Sequence, residues 1–273
     1  MPSKSLRAFM PFLRIAPVVL LLGLLSGRVA SADRRYFTYT YSPFLSPASE
    51  FEIESWLTAR TGKADPGAGT AWDPRVAFEY GIHDRFSAAA YLNFEKSPHD
   101  NFQFHSPSLE LIYRFARDGR LAGDPAIYLE ATESREALEL EPKLLLEQRR
   151  GPWISGINLI GELGVRHHDD EVLPSGTVLK HELAGEISSG VGYELNPHVA
   201  VSLESRFRSI HPNFGRQSAA LLSLGPSVSL KFGEAQFALG ILPQIWGSPR
   251  TNGSRNLDEF EKVQVRFVMG IEL

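Results

Sequence analysis

Residues 263–273 read VQVRFVMGIEL, and their alternation decides the fold. Val263, Val265, Phe267, Met269, Ile271 and Leu273 fall on one side of an extended strand, and Gln264, Arg266, Val268, Gly270 and Glu272 on the other. Strand side chains alternate faces with a period of two, so this stretch has one apolar and one mostly polar face. Its length matches the roughly 9–11 residues that a tilted strand needs to cross a bilayer. A single strand of this kind would serve equally well at the end of a soluble β-sandwich. The rest of the chain separates the two.

The other terminus points to export. Lys4, Arg7 and Arg14 precede an uncharged run from Ile15 to Leu25, and Ala30-Ser31-Ala32 supplies small residues at a cleavage position. A positive n-region, a short apolar h-region and an A-x-A site make a secretory signal peptide. The apolar run falls short of the roughly 17–25 residues of a spanning helix. Residues 1–32 are therefore expected to be cleaved off after Ala32, leaving 33–273 as a β-barrel domain.

Composition narrows what that domain can do. Residues 1–32 hold four of the 28 basic residues and none of the 32 acidic ones, so the remainder is net acidic. Nucleic acid is not an expected partner, because binding it rests on neutralising phosphates with clustered Lys and Arg. The chain has no cysteine, so neither disulfides nor thiolate metal sites are available to it.

The two-residue period recurs along the whole domain. Phe51, Ile53, Leu57 and Ala59 alternate with Glu52, Glu54, Trp56 and Thr58; Val76, Phe78, Tyr80 and Ile82 alternate with Arg75, Ala77, Glu79 and Gly81. Residues 86–94 and 108–115 repeat the pattern, and further strands read as 126–134, 137–148, 154–166, 181–194, 199–208, 219–232 and 236–246. With the terminal strand the count is twelve. Helical periodicity is sustained nowhere, and 126–148 is the least regular stretch.

The connections alternate in length. Short turns fall at 83–85, 149–152, 195–198 and 233–235, with a medium one at 116–125. Longer polar segments fall at 61–74, 95–107, 167–180, 209–218 and 247–260. Short turns at one end and long loops at the other characterise outer-membrane barrels. In lipid every backbone N–H and C=O must be paired within the protein, which only helices or closed sheets achieve. The expected fold is all-β: a closed antiparallel transmembrane barrel of about twelve strands with up-and-down topology. The even strand number puts both ends on the periplasmic side. Tyr80, Phe86, Tyr113, Phe115, Tyr193, Phe232 and Phe237 cluster beside the short turns, and Phe94 and Phe207 lie at the opposite strand ends. Such positions suit the aromatic girdles of a membrane barrel.

Glu50 to Lys63 (EFEIESWLTARTGK), preceded by Tyr39-Thr40-Tyr41 and Ser46-Pro47, resembles the opening strand of a family of small bacterial outer-membrane barrels. The family is similar to the phenol-degradation meta-pathway porin-like proteins. The resemblance implies a Gram-negative outer-membrane location, surrounding outer-membrane lipids as partners and a loose role in transport. The terminal strand, Val263–Leu273, resembles the signal read by the barrel-assembly machinery, except that Leu273 stands where an aromatic is usual.

If the apolar parity faces lipid, the opposite parity lines the lumen, and it is rich in charge. Glu110 with Arg114, Glu162 with Arg166, and Glu204 with Arg206 and Arg208 are the candidate lumen-lining and selectivity residues. Lys or Arg on the lipid face would cost roughly 2–4 kcal/mol at the midplane, so confinement of charge to one parity argues for a polar interior. Such a wall could set the selectivity of a channel for small polar solutes, mildly favouring cations. The alternatives are a lumen filled by paired Glu and Arg side chains, making a non-conducting structural barrel, or an outer-membrane hydrolase acting on lipids.

Catalytic chemistry has thin support. His167-His168-Asp169-Asp170-Glu171 offers imidazole and carboxylate groups, but without a regular coordinating spacing. Ser209-Ile210-His211 and His105-Ser106 put a hydroxyl near an imidazole without a lipase signature around either pair. No catalytic residue, metal site or cofactor is assigned, and an enzyme is the less favoured reading.

Overall fold

A computed structural model of the chain describes residues 35–273 except 44, 66, 68, 116–120, 169–170 and 174–175. The expected signal peptide and its cleavage position lie outside the described residues.

Twelve strands follow one another: β1 (Phe51–Thr61), β2 (Thr70–His83), β3 (Phe86–Glu95), β4 (Gln103–Arg114), β5 (Ala126–Glu133), β6 (Ala137–Arg150), β7 (Trp153–Arg166), β8 (His181–Asn196), β9 (Val199–Pro212), β10 (Ala219–Phe232), β11 (Ala235–Ser248) and β12 (Val263–Glu272). Each pairs antiparallel with its neighbours in sequence, and β12 pairs back onto β1 to close the barrel. The closing register runs from Glu52 opposite Glu272 to Thr61 opposite Val263. Both ends of the barrel wall thus meet at the short-turn end, where the Leu273 N–H donates to the Phe51 carbonyl at 2.8 Å. Closure leaves no sheet edge unpaired.

The alternating parity becomes an inside and an outside. Leu109, Ile157, Leu159, Ile187, Val191, Leu203 and Ile241 are exposed on the outer face, with Leu109 68% accessible. Between the strand ends that face carries no Asp, Glu, Lys or Arg. The inward parity holds the buried Glu52, Glu54, Glu110, Glu130, Lys143, Glu147, Glu186 and Glu204. This inversion, apolar outside and charged inside, is that of a transmembrane barrel. At the short-turn end, Tyr113 meets Phe115 edge-on at 5.8 Å and Trp153 meets Tyr193 at 4.9 Å.

Two departures from the sequence reading stand out. Several strands run further toward the loops than their apolar pattern reaches: β2 starts at Thr70 rather than 75, β4 at Gln103 rather than 108, and β9 ends at Pro212 rather than 208. These extensions mix polar and apolar residues and are held by cross-strand pairing, with Arg60 bidentate on Asp73 at 2.6 and 2.8 Å. The β10–β11 ladder also lapses between Ser223–Gln244 and Ser227–Gly240, the stretch holding Pro226 and Pro243. Proline has no N–H to give a ladder, and one proline on each strand of this stretch interrupts it.

Candidate functional site

Residues 35–43 and 45–47 do not extend the barrel wall; they lie within its lumen near the short-turn end. A segment without a strand partner brings unpaired N–H groups into a closed space, and each needs an acceptor. The wall supplies them. Glu204 on β9, fully buried, accepts the Thr38 N–H at 2.8 Å and its hydroxyl at 3.0 Å through Oε1, and the Tyr39 and Thr40 N–H groups at 2.8 and 3.3 Å through Oε2. Asn158 on β7 accepts the Tyr41 N–H at 2.6 Å and donates to its carbonyl at 2.9 Å. Arg35 reaches Glu54 at 2.7 and 3.1 Å, and Tyr36 donates its hydroxyl to Glu194 at 2.6 Å. The segment leaves at the turn end, where Ser49 donates its N–H to Gly81 at 2.7 Å.

Glycines on the inner wall make room for it. A Cβ at Gly190 would stand 2.5 Å from the Phe37 ring, and one at Gly156 would stand 2.9 Å from the Thr40 methyl. Gly192 and Gly240 likewise lie against Phe37 and Thr38. Glycine inside a strand marks a close approach by another group, and here the group is the chain's own N-terminal segment.

On the long-loop side of this segment a vestibule of about 400 Å³ remains. Its floor is Tyr39, Tyr41 and Trp56, and its walls carry alternating charges. Arg206 grips Glu186 with two bonds of 2.7 and 2.8 Å, and Arg208 grips Glu162 with two of 2.8 and 2.9 Å. Arg208 also touches Glu186 at 3.5 Å, so the four form one ladder up β7, β8 and β9. Beside them on β6, Lys143 pairs with Glu141 at 2.7 Å, and Arg75 of β2 pairs with Glu130 of β5. Cations stack on the floor's rings: Lys143 is 3.8 Å from the centroids of Tyr41 and Tyr128, and Arg266 is 3.9 Å from that of Tyr39. Such stacking is favourable on the order of 0.5–2 kcal/mol, more where water is excluded. The connection from β11 to β12 covers part of the mouth, burying Phe260 against Ala219 and Leu221.

The seven residues singled out in the sequence take separate places. Glu162, Arg206 and Arg208 come together in the vestibule wall. Glu204 faces inward but is occupied by the crossing segment. Glu110 lies beneath that segment, accepting the Tyr91 hydroxyl, and Arg114 is buried lower still on the same strand. Arg166 sits at the loop end with Glu171 at 2.7 Å. Residues i and i+4 of a strand share a face but stand roughly 13 Å apart, so Glu162 finds its partner across the sheet rather than in Arg166. In the vestibule most carboxylates are matched by Arg and Lys.

Neither hydroxyl–imidazole pair forms a dyad. Ser106 accepts from Asn93 at 3.2 Å, and Ser209 donates to the Gly185 carbonyl at 3.5 Å. In the loop from His167 to Glu171, Asp169 and Asp170 lie outside the described residues, and His167 is 3.0 Å from Glu133.

Fold and lumen together define a class: a twelve-stranded barrel, apolar outside and charged within, crossed by its own N-terminal segment. The comparisons agree with the fold. Residues 29–123 match the model of a family of unknown function, DUF6662, over about a third of the chain. The COG4313 outer membrane channel from Pseudomonas putida F1 is similar at 10% identity and a TM-score of 0.55, over 84% of this chain and 97% of that one. The NanC porin is similar at 12% identity and a TM-score of 0.57, over 82% of this chain and 100% of that one. At such identities the likeness is one of fold. No curated protein matches the sequence.

Proposed function

We propose that the protein is an outer-membrane barrel that takes small polar solutes into its loop-side vestibule, with residues 35–41 restricting their onward passage. The observation that carries this reading is the charged cavity of about 400 Å³, stopped by a segment that hydrogen bonds and ring contacts hold in place. In this reading the long loops face outward, both ends of the wall face the periplasm, and lipid surrounds the apolar belt. The barrel-assembly machinery recognises Val263–Leu273. The kinship of the opening strand with the phenol-degradation meta-pathway porin-like proteins belongs to the same reading, on residues 39–63 alone.

A sealed, structural barrel is the second reading, and the number of bonds made by residues 35–41 favours it. Conductance separates the two. Glu204→Ala leaves three buried N–H groups without their acceptor, and an orphaned buried donor costs about 1–3 kcal/mol. Under the channel reading, the folded protein in a planar bilayer gives small conductance steps, and Glu204→Ala gives larger ones while keeping its heat-modifiable gel migration. Silence from both folded proteins would leave the structural reading standing.

A further inference from the structure

Within the vestibule most charges cancel in pairs, and those that do not are informative. Arg60 is paired with Asp73, Arg75 with Glu130, Lys143 with Glu141, Arg206 with Glu186 and Arg208 with Glu162. Arg266 differs. Its guanidinium donates to the Thr58 hydroxyl at 2.9 Å and to the Thr38 carbonyl at 3.3 Å, both neutral acceptors. No carboxylate among the described residues lies within ion-pair distance of it. One face of the guanidinium is taken by the Tyr39 ring, and the group lines the cavity at its floor. A guanidinium has five N–H donors, so this one keeps donors in reserve.

The complementary case lies higher on the wall. Glu139, on the inward parity of β6, lines the outer part of the same space, which shares Arg75, Asn93, His105, Glu141 and Glu162 with the vestibule. Among the described residues its carboxylate has neither a hydrogen bond nor an ion pair. Glu95 also lacks an Arg or Lys partner, but it lies 3.5 Å from His105 and accepts from Gln103 at 3.3 Å. The cavity therefore holds at its floor a cation, Arg266, with no carboxylate partner, and toward its mouth a carboxylate, Glu139, with no partner of its own among the described residues.

We infer that the vestibule is a binding site for a small zwitterion, held with its carboxylate on Arg266 and its ammonium group on Glu139. This rests on the reading of the vestibule as the place where solutes enter. Each end of such a solute forms a charge-assisted hydrogen bond, the stronger kind. A solute of one sign gains one of these contacts and leaves the other protein charge unmatched.

The test uses the folded full-length barrel in detergent and isothermal titration with 6-aminohexanoate, hexanoate and hexylammonium. The first is expected to bind at least about tenfold more tightly than either single-charge analogue, a difference large enough to resolve. Arg266→Gln should abolish its advantage over hexylammonium, and Glu139→Gln its advantage over hexanoate. Equal binding of all three probes, or a zwitterion preference that survives both substitutions, would overturn the inference. An independent measurement guards the underlying reading. The chain has no cysteine, so Asn93→Cys places a single thiol on the vestibule wall. Modification of that thiol by a small water-soluble methanethiosulfonate in the folded protein shows that solute reaches the cavity. With the thiol modified and no zwitterion preference, the inference alone falls; with the thiol inert, the solute-entry reading falls and takes the inference with it.

Discussion

Glu204 and Gly190 show how single residues set the state of the lumen. One was visible in the sequence as a lumen charge, yet its four bonds go to the backbone and hydroxyl of residues 38–40 rather than to a passing solute. The other is a strand glycine with nothing in its local sequence to mark it, and it gives the Phe37 ring its seat. The inward glycines Gly156, Gly190, Gly192 and Gly240 were the available signal: a barrel interior that omits side chains at several facing positions has something else to accommodate. Gly190→Val should expel Phe37, because the added carbon atoms fall where the ring lies. The expected result is an enlarged conductance in a barrel that still migrates as folded. Gly161→Val serves as the control, since a Cβ there would meet only Pro142 at 3.8 Å. Equal conductance in the two variants would show that the wall glycines do not hold the segment.

At the scale of the strand, parity carries the argument. All twelve strands were legible because lipid accepts only apolar side chains, which forces a strict alternation on each crossing. Even 126–148, the least regular stretch, resolves into β5 and β6, joined at 134–136. The ends were less legible, because the missed extensions carry Pro74, Pro107 and Pro212, and a proline within a run reads as the end of a strand. The partners of the lumen charges were not legible at all. Glu162 with Arg208 depends on which strands are neighbours and on register, which a single strand's sequence does not contain. The parity itself can be tested by placing a charge on each face. Leu159 and Leu224 point outward, and Ser223 is buried on the inner wall. Arginine at either leucine is expected to destabilise the inserted barrel by roughly 2–4 kcal/mol at the midplane, and at Ser223 by much less. A refolding titration into lipid vesicles measures this, and equal losses at the three positions would contradict the assigned faces.

For the molecule as a whole, the segregation of its connections matters most. Turns of two residues, 84–85, 151–152, 197–198 and 233–234, gather at one end with the start of β1 and the end of β12, and the long connection 167–180 lies at the other. The vestibule opens toward the long connections and residues 35–41 lie toward the turn end, so orientation decides which side of a membrane the proposed solute site serves. With loops outward, the vestibule samples the surroundings of the cell and the crossing segment guards the periplasm. The reverse orientation would make the same cavity an exit chamber. A chain without cysteine allows a direct answer. His168→Cys places one thiol in the long connection between β7 and β8, and Pro152→Cys places one in the turn between β6 and β7; both positions are exposed. Intact cells treated with a membrane-impermeant maleimide should label the first variant and leave the second unlabelled until the outer membrane is permeabilised. Labelling of the second alone would invert the barrel. Labelling of both in intact cells, or recovery of the protein in the soluble periplasmic fraction, would remove the membrane topology altogether.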